Sequence, residues 1–296
     1  MTTFIVTHGG AAAPAAFSDG CERAARHGKA ILEAGGSATD AAVAAVAMLE
    51  DDGRFNAGSG SVLRMDGVSI EMDAAVMDTR GRLAAVAAIY DIKNPIHLAM
   101  AVTETPHVML VGDGAVAFAR KRGFAPHKHE PSERARRIYL EICEQLKNRE
   151  FSDMPAWEAF DLVANWNFSR SPEDTLAACD TVGAVACDRD GQLAVASSTG
   201  GAAPMLRGRV GDTPIVGSGF YAGPAGAVAA TGLGEEIIRR TVAQRVYARM
   251  EAGAAAQEAC EWGVSLFPDA IDIGVIAVDR GGTGRASNRK MPTWAL

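Results

Sequence analysis

Three stretches of this 296-residue chain share one design. "DAAVMDTRGRLAAVAAI", "TVGAVACDRDGQLAVASS" and "IGVIAVDRGGTGRAS" each hold an apolar run, a turn with aspartate and glycine, and a second apolar run. Each predicts a β-hairpin, because aspartate and glycine tolerate the backbone angles of a tight reversal and short apolar runs suit buried strands. No fixed period links the three, which separates them from a repeat array. Antiparallel hairpins spaced by helical blocks argue against a parallel βαβ wind. They predict an α+β chain whose sheets are covered by helical layers.

The blocks between the hairpins fit that plan. A short apolar strand over 4–7 runs into "HGG". A helix over about 19–33 is stopped by Gly35 and Gly36. A second, over 38–49, is opened by Ser37 as N-cap and carries small apolar residues on nearly every face, so it belongs inside a layered fold. Further helices are predicted over 113–122, 132–146, 155–166 and the stretch 234–252. The only linker-like region, from "NREFSDMPAW" to "NFSRSPEDTLAACD", is polar, holds Pro155 and Pro172, and lies directly upstream of Thr181.

Bulk properties exclude several classes. At this length the chain can bury a substantial core. The net charge of −7, with its basic residues interrupted by acids even around Arg120–Arg122, Arg134, Arg136 and Arg137, argues against a nucleic-acid partner. Five scattered cysteines without C-x-x-C spacing predict reduced thiols rather than disulfides or a zinc site. The start "MTTFIVTHGG" does not read as a signal peptide, and no run approaches the roughly 20 apolar residues of a membrane span. A cytoplasmic location is the expectation. "HVMLVGDGAVAFARKRG" imitates the first turn of a dinucleotide-binding unit through Gly112, Gly114 and Ala117. The next segment, "FAPHKHEPSERARR", is polar and proline-broken where that unit needs a second strand. His127 and His129 on that loop lack a third metal ligand in sequence.

Thr181 is the oddly placed residue. It stands between an aspartate and an apolar run where a strand begins. An internal threonine hydroxyl is a weak nucleophile, but an N-terminal threonine carries its own base, an α-amine with pKa near 8. That amine exists only if the Asp180–Thr181 bond is cut, and the same hydroxyl could cut it by attacking the Asp180 carbonyl. Alone, this pattern also fits a plain turn before a strand. The neighbours add weight. "SSTGG" closes the hairpin that Thr181 begins, so Thr199 can return beside it. "GRVGD" sets Arg209 and Asp212 three apart, a guanidinium fork and a carboxylate suited to an amino acid's zwitterionic head. "ATGLGEE" reads as a threonine–glycine turn opening a helix, where backbone N–H groups can stabilise an oxyanion.

These motifs, with "HGGAAA", "GGSATDAAVAAVAMLEDDGRFNAGSGSVL", "EMDAAVMD" and "PHVMLVGDGA", resemble the plant-type asparaginase / isoaspartyl peptidase family of N-terminal nucleophile hydrolases over almost the whole chain. The resemblance implies one four-layer αββα sandwich over 1–296, self-cleavage into an α subunit (1–180) and a β subunit (181–296), and a dimer of such αβ units, a heterotetramer. It implies a small amide substrate: the side-chain amide of L-asparagine or a β-aspartyl dipeptide, releasing L-aspartate. Thr181 matches the nucleophile and Thr199 the second threonine that positions it. Arg209 matches the residue that binds the substrate α-carboxylate, Asp212 the one that binds the α-amine, and Thr231 with Gly232 the oxyanion pair. The loop "LEDDGRFNAG" resembles a structural sodium loop, with backbone carbonyls of Leu49, Glu50, Asp52, Phe55, Ala57 and Ser59 as ligands; no cofactor is implied for the chemistry.

This chain departs from the pattern in places. Asp180 stands where the isoaspartyl branch usually has glycine and resembles the glycosylasparaginases, the same-fold alternative. The other alternative is an unprocessed, non-catalytic family member. "AAPMLR" replaces a polar "TNK" stretch and "SNRKM" a common "NTEGM". Those changes predict a larger apolar leaving group near Met205 and Leu206.

Overall fold

A computed structural model describes residues 2–150, 155–162, 164–168 and 181–296. The three hairpins form. They are β2 (Met72–Asp78) with β3 (Leu83–Ile89), β5 (Thr181–Cys187) with β6 (Leu193–Thr199), and β9 (Ile273–Val278) with β10 (Thr283–Ser287). They join β1 (Phe4–His8), β4 (Met109–Val111), β7 (Phe220–Gly223), β8 (Gly226–Gly232) and β11 (Thr293–Ala295). One sheet of seven strands runs β11-β1-β5-β6-β2-β3-β4, and a second of four runs β10-β9-β8-β7. Every pairing is antiparallel except that of β3 with the short edge strand β4.

Helices cover the two outer faces. On the large sheet lie α1 (Ser18–Glu33), α2 (Ala38–Asp51), α3 (Pro95–Val102) and α4 (Gly112–Lys121); on the small sheet lie α7 (Val242–Glu251) and α8 (Ala256–Ser265). Helix α5 (Glu133–Lys147) packs Ile138 against Val62, Ala203 and Met205 and Ile142 against Met65, and α6 (Gly234–Arg240) follows β8. Alternate residues of each strand divide between layers, as the two-residue period of a pleated strand requires. Val182, Ala184 and Ala186 face the helices of the large sheet, whereas Val185 and Cys187 meet Phe220, Ala229 and Ile276 of the small sheet. Val228, Ala230 and Val275 pack outward under α7 and α8. Three apolar layers between four structural layers make an αββα sandwich.

The N-cap of α2 is as expected. Ser37 Oγ accepts from the Asp40 N–H at 3.1 Å, and Asp40 Oδ2 accepts from the Ser37 N–H at 3.3 Å, closing a capping box. Other expectations need correction. Of the helix expected over 155–166, the described residues form only a single 3-10 turn, Pro155–Trp157. The stretch 234–252 is two helices, broken at Thr241 with φ 45°. The break has a cause: the Ala243 and Gln244 N–H groups donate to the Ser218 and Gly217 carbonyls at 3.1 and 2.9 Å, so α7 is capped by a loop rather than by α6. The β7–β8 hairpin has no clear sequence signal, because "GAVAATG" is alanine- and glycine-rich and low in strand propensity. Most of the linker-like stretch before Thr181, Asp180 included, lies outside the described residues.

Candidate active site

The site begins with register. In the β5–β6 ladder Thr181 lies directly opposite Thr199, and in the β6–β2 ladder Thr199 lies opposite Asp73. Directly paired residues of an antiparallel sheet project to the same face. Alternation along β5 and β6 makes that the face toward the small sheet. The hydroxyls meet, Thr181 Oγ1 to Thr199 Oγ1 at 3.1 Å, and the Gly201 N–H donates to Thr199 Oγ1 at 3.0 Å. Both threonines are buried.

From the small sheet, Thr231 points to the same space. Its Oγ1 accepts from the Ala11 N–H at 3.3 Å, which ties the end of β8 to the "HGGA" loop after β1. Thr231 and Gly232 are the last two residues of β8, not a turn opening a helix, and α6 starts only at Gly234. Gly232 sits at φ 141°, where a Cβ would come within 2.1 Å of the Asp272 carbonyl oxygen, so no other residue fits there unstrained.

Arg209 and Asp212 come together at Gly234. A Cβ on that residue would lie 2.9 Å from Arg209 Nη2 and 3.0 Å from Asp212 Oδ1. Arg209 is held by Glu235 in a two-point grip, Nε to Oε1 at 2.9 Å and Nη2 to Oε2 at 2.8 Å. Partial burial pushes the Glu235 carboxyl up, but Arg209 outweighs it and holds the group below the usual range. Asp212 is buried, and among the described residues its Oδ2 has no partner. Burial raises its carboxyl to about 7, a level an incoming cation would lower again.

Several polar residues here were not singled out from sequence. His8, opposite Gly183 in the β1–β5 ladder, is fully buried. Its Nδ1 accepts the Gly10 N–H at 3.2 Å, and burial lowers its pKa to about 3, so the ring is neutral with its proton on Nε2. Asn56 ties the loop after α2 to the turn after Thr199: its Nδ2 donates to the Gly201 carbonyl at 2.7 Å, and its own carbonyl accepts the Gly200 N–H at 2.9 Å. Arg64, fully buried, donates through Nε to Glu71 at 3.0 Å, and Glu71 also accepts the Gly208 N–H at 2.8 Å, anchoring the Arg209 loop. Motifs signalled these residues, "HGGA" for His8, "FNAG" for Asn56 and "EMDA" for Glu71, with none for Arg64, but not their contacts, which depend on how distant strands and loops meet. Met205 does not line an opening. Among the described residues it is buried with Val62, Ile138 and Ala203 beneath α5, whereas Leu206 beside it is partly exposed.

The loop after α2 crowds backbone carbonyls together. A Cβ on Gly60 would lie 1.9 Å from the Phe55 carbonyl oxygen and 2.7 Å from that of Gly53; one on Gly58 would lie 2.5 Å from that of Glu50. Within this tight loop the Asp52, Phe55 and Ala57 carbonyls accept the N–H groups of Phe55, Ala57 and Gly60 at 3.1, 2.9 and 3.1 Å. No cluster of three His, Cys, Asp or Glu able to hold a metal exists among the described residues, and His129, whose Nε2 meets the Ile92 carbonyl at 2.7 Å, is engaged by backbone.

Comparison with known proteins gives this geometry a context. The family model for asparaginases matches residues 1–295. The chain is 39% identical, over its full length and 92% of the relative, to an isoaspartyl peptidase/L-asparaginase of Danio rerio. It is 41% identical, over 95% of itself and 92% of the relative, to a plant-type L-asparaginase of Pyrobaculum calidifontis. To an isoaspartyl peptidase/L-asparaginase of Rattus norvegicus it is 41% identical over 88% of itself and 74% of the relative.

Proposed function

The chain belongs to the asparaginase family, and on that premise we propose that it is a self-cleaving threonine amidohydrolase that releases L-aspartate from L-asparagine or from β-aspartyl dipeptides. The observation that carries the reading is the 3.1 Å contact between Thr181 and Thr199 at the head of a buried hairpin. Once the chain is cut before Thr181, the new α-amine takes the hydroxyl proton and Thr181 Oγ1 attacks the substrate's side-chain amide carbon. The Thr231 hydroxyl and the Gly232 N–H receive the oxyanion. The protonated α-amine passes its proton to the departing nitrogen, which leaves as ammonia or as the next residue's amine. Water then opens the aspartyl ester. Arg209 grips the α-carboxylate and Asp212 the α-ammonium, so the side-chain carbonyl is presented to the nucleophile.

Further parts of the reading follow from the resemblance of the motifs to the family's. The product is an α subunit (1–180) and a β subunit (181–296) that stay together, and two such αβ units form a dimer. Backbone carbonyls of Leu49, Glu50, Asp52, Phe55, Ala57 and Ser59 hold a sodium ion that braces the loop through Asn56 and takes no part in the chemistry. Scattered free cysteines support a reducing, cytoplasmic setting; no helix among the described residues is long and apolar enough to cross a membrane.

The test is the intact mass of denatured protein followed over days at neutral pH, then a panel of L-asparagine, β-aspartyl dipeptides and an N-glycosylated asparagine. Two fragments meeting at Asp180/Thr181, with turnover of the first two substrates, are expected. A persistent single chain without turnover would overturn the reading, and exclusive turnover of the glycosylated substrate would move it to the glycosylasparaginases.

A further inference from the structure

Arginine has a long side chain with several rotatable bonds, and a guanidinium receives a carboxylate well only in the plane of its fork. Arg209 stands on an irregular loop, outside every helix and strand of the described residues. Something other than secondary structure must therefore hold it. Two glycines and one carboxylate do so.

The glycines make room for the guanidinium. A Cβ on Gly211 would lie 2.8 Å from Arg209 Nη1 and 3.3 Å from Cζ, and one on Gly234 would lie 2.9 Å from Nη2. Neither glycine has a positive φ, so the missing side chains provide space rather than backbone freedom. The carboxylate then fixes what the glycines admit. Glu235 accepts from Nε and Nη2 through its two oxygens at 2.9 and 2.8 Å, and two contacts set a plane where one would leave a pivot. Burial works against the Glu235 charge, but Arg209 outweighs it and keeps the carboxyl below its usual range, so the grip is charged at neutral pH.

Glu235 is placed by the same chain that builds the rest of the site. β8 ends on Thr231 and Gly232, Leu233 donates its N–H to the Asp272 carbonyl at 3.0 Å, and α6 begins at Gly234. Gly234 abuts both Arg209 and Asp212, and Glu235 follows it directly. One continuous stretch, 231–235, thus joins the residues assigned to the oxyanion to the carboxylate that grips the head-group arginine. Stability is a weaker explanation for the pair. The Glu235 side chain is 51% exposed, and an ion pair open to water on that scale adds little to folding.

We infer that Glu235 is a positioning residue for the hydrolysis, holding Arg209 in the plane in which it receives the substrate α-carboxylate. The inference rests on the function proposed above, which gives Arg209 that carboxylate. In this role Glu235 does not touch the substrate. Without the grip the guanidinium turns about its last bonds, and the entropy of fixing it falls on substrate binding instead. The α-carboxylate takes no part in bond making, so the loss weighs equally on the bound substrate and on the transition state. That raises KM and leaves kcat near its original value.

The experiment measures kcat and KM for L-asparagine and a β-aspartyl dipeptide with wild type, Glu235→Ala, Glu235→Gln, Arg209→Lys and the double variant Arg209→Lys/Glu235→Ala. Intact mass confirms self-cleavage and thermal melting confirms folding. Glu235→Ala should raise KM roughly tenfold, the low end for a lost charged hydrogen bond, with kcat within about twofold of wild type. Glu235→Gln should recover part of that loss, because its amide oxygen still accepts one N–H. In the Arg209→Lys background, which has no fork to orient, Glu235→Ala should change kcat/KM by about twofold or less, the non-additivity of residues that act through one another. A wild-type KM in Glu235→Ala overturns the inference, as does a lower one, which would mean that Glu235 competes with substrate for Arg209. So does a loss carried by kcat, an equal loss in both backgrounds, or a folded Glu235→Ala chain that fails to self-cleave. If Glu235→Ala does not fold, Glu235→Gln decides by the same split: a raised KM with kcat kept supports the inference, and an unchanged KM overturns it. Wild type that never self-cleaves, or that turns over neither substrate, defeats the proposed function and the inference with it, an outcome separate from any difference among the variants.

Discussion

The space between the two sheets has two ends built from the same strands. At one end Val6, Val185, Leu193, Val195, Phe220, Ile276 and Val278 pack as a dry apolar layer. At the other, along the same faces of β1, β2, β5, β6 and β8, stand His8, Asp73, Thr181, Thr199 and Thr231. Both ends are closed to water: His8 and Asp73 are 0% exposed, Thr199 and Thr231 2%, and Thr181 7%. The difference is therefore chemical rather than a matter of exposure. The apolar end gains by burial, whereas the polar end bears unpaired atoms, His8 Nε2 and Asp73 Oδ2 among the described residues. One end holds the sheets together so that the other can keep polar groups dry, where an oxyanion or a proton transfer is most sensitive to nearby dipoles.

Substitutions can break this division of labour. The largest effect is expected from Thr181→Ala, which should leave a single chain in intact-mass analysis and lower turnover by about 10⁴-fold or more, as loss of a nucleophile does. Melting should be nearly unchanged. Leu193→Ala tests the opposite end. It should cost roughly 2–5 kcal/mol in denaturant unfolding while kcat of the folded enzyme stays near wild type. A fall in kcat equal to that of an active-site change would dissolve the distinction between the two ends. Arg209→Lys lies between these in character. It forfeits the forked grip seen with Glu235, and loss of one charged hydrogen bond, about 1.5–3 kcal/mol, should raise KM roughly 10- to 150-fold with a smaller change in kcat.

A fourth prediction concerns pH. Glu50 is buried on the helix side of the large sheet, where its Oε1 accepts the Ile96 N–H at 2.9 Å, and burial raises its carboxyl to about 8. A raised folded-state value means the folded chain binds the proton more tightly than the unfolded chain. Its contribution is fully present below the ordinary value near 4.5 and is lost as pH climbs through 8. Glu50→Gln should therefore show a smaller drop in melting temperature than wild type between pH 6 and pH 9. Parallel melting curves of the two proteins would show that Glu50 does not titrate there.

Legibility differed between the two ends as well. The apolar end was readable from alternation alone, because a two-residue period assigns each side chain to a face once the hairpins are recognised. Thr181 and Thr199 were readable as partners because a hairpin with a short turn fixes its own register. Asp73 was not, since β2 meets β6 across more than a hundred residues of chain and only a ladder between distant strands sets Thr199 opposite it. Glu235 escaped for the same reason as Met205: whether a side chain grips a guanidinium or fills a core depends on how a loop folds back, and local pattern carries no record of that.

The sequence by itself determined the hairpins, the capped helix α2 and the layered class, because local propensity and periodicity act within a few residues. It also marked Thr181, Arg209, Asp212 and Thr231 through family motifs. Tertiary structure alone decided the order of strands, the break at Thr241 imposed by the Ser218 and Gly217 carbonyls, the burial of Met205, and the register that sets Thr181, Thr199 and Asp73 in a row across three strands. Those features depend on long-range pairing, where the partner of a group is chosen by the packing of whole layers rather than by its neighbours in the chain.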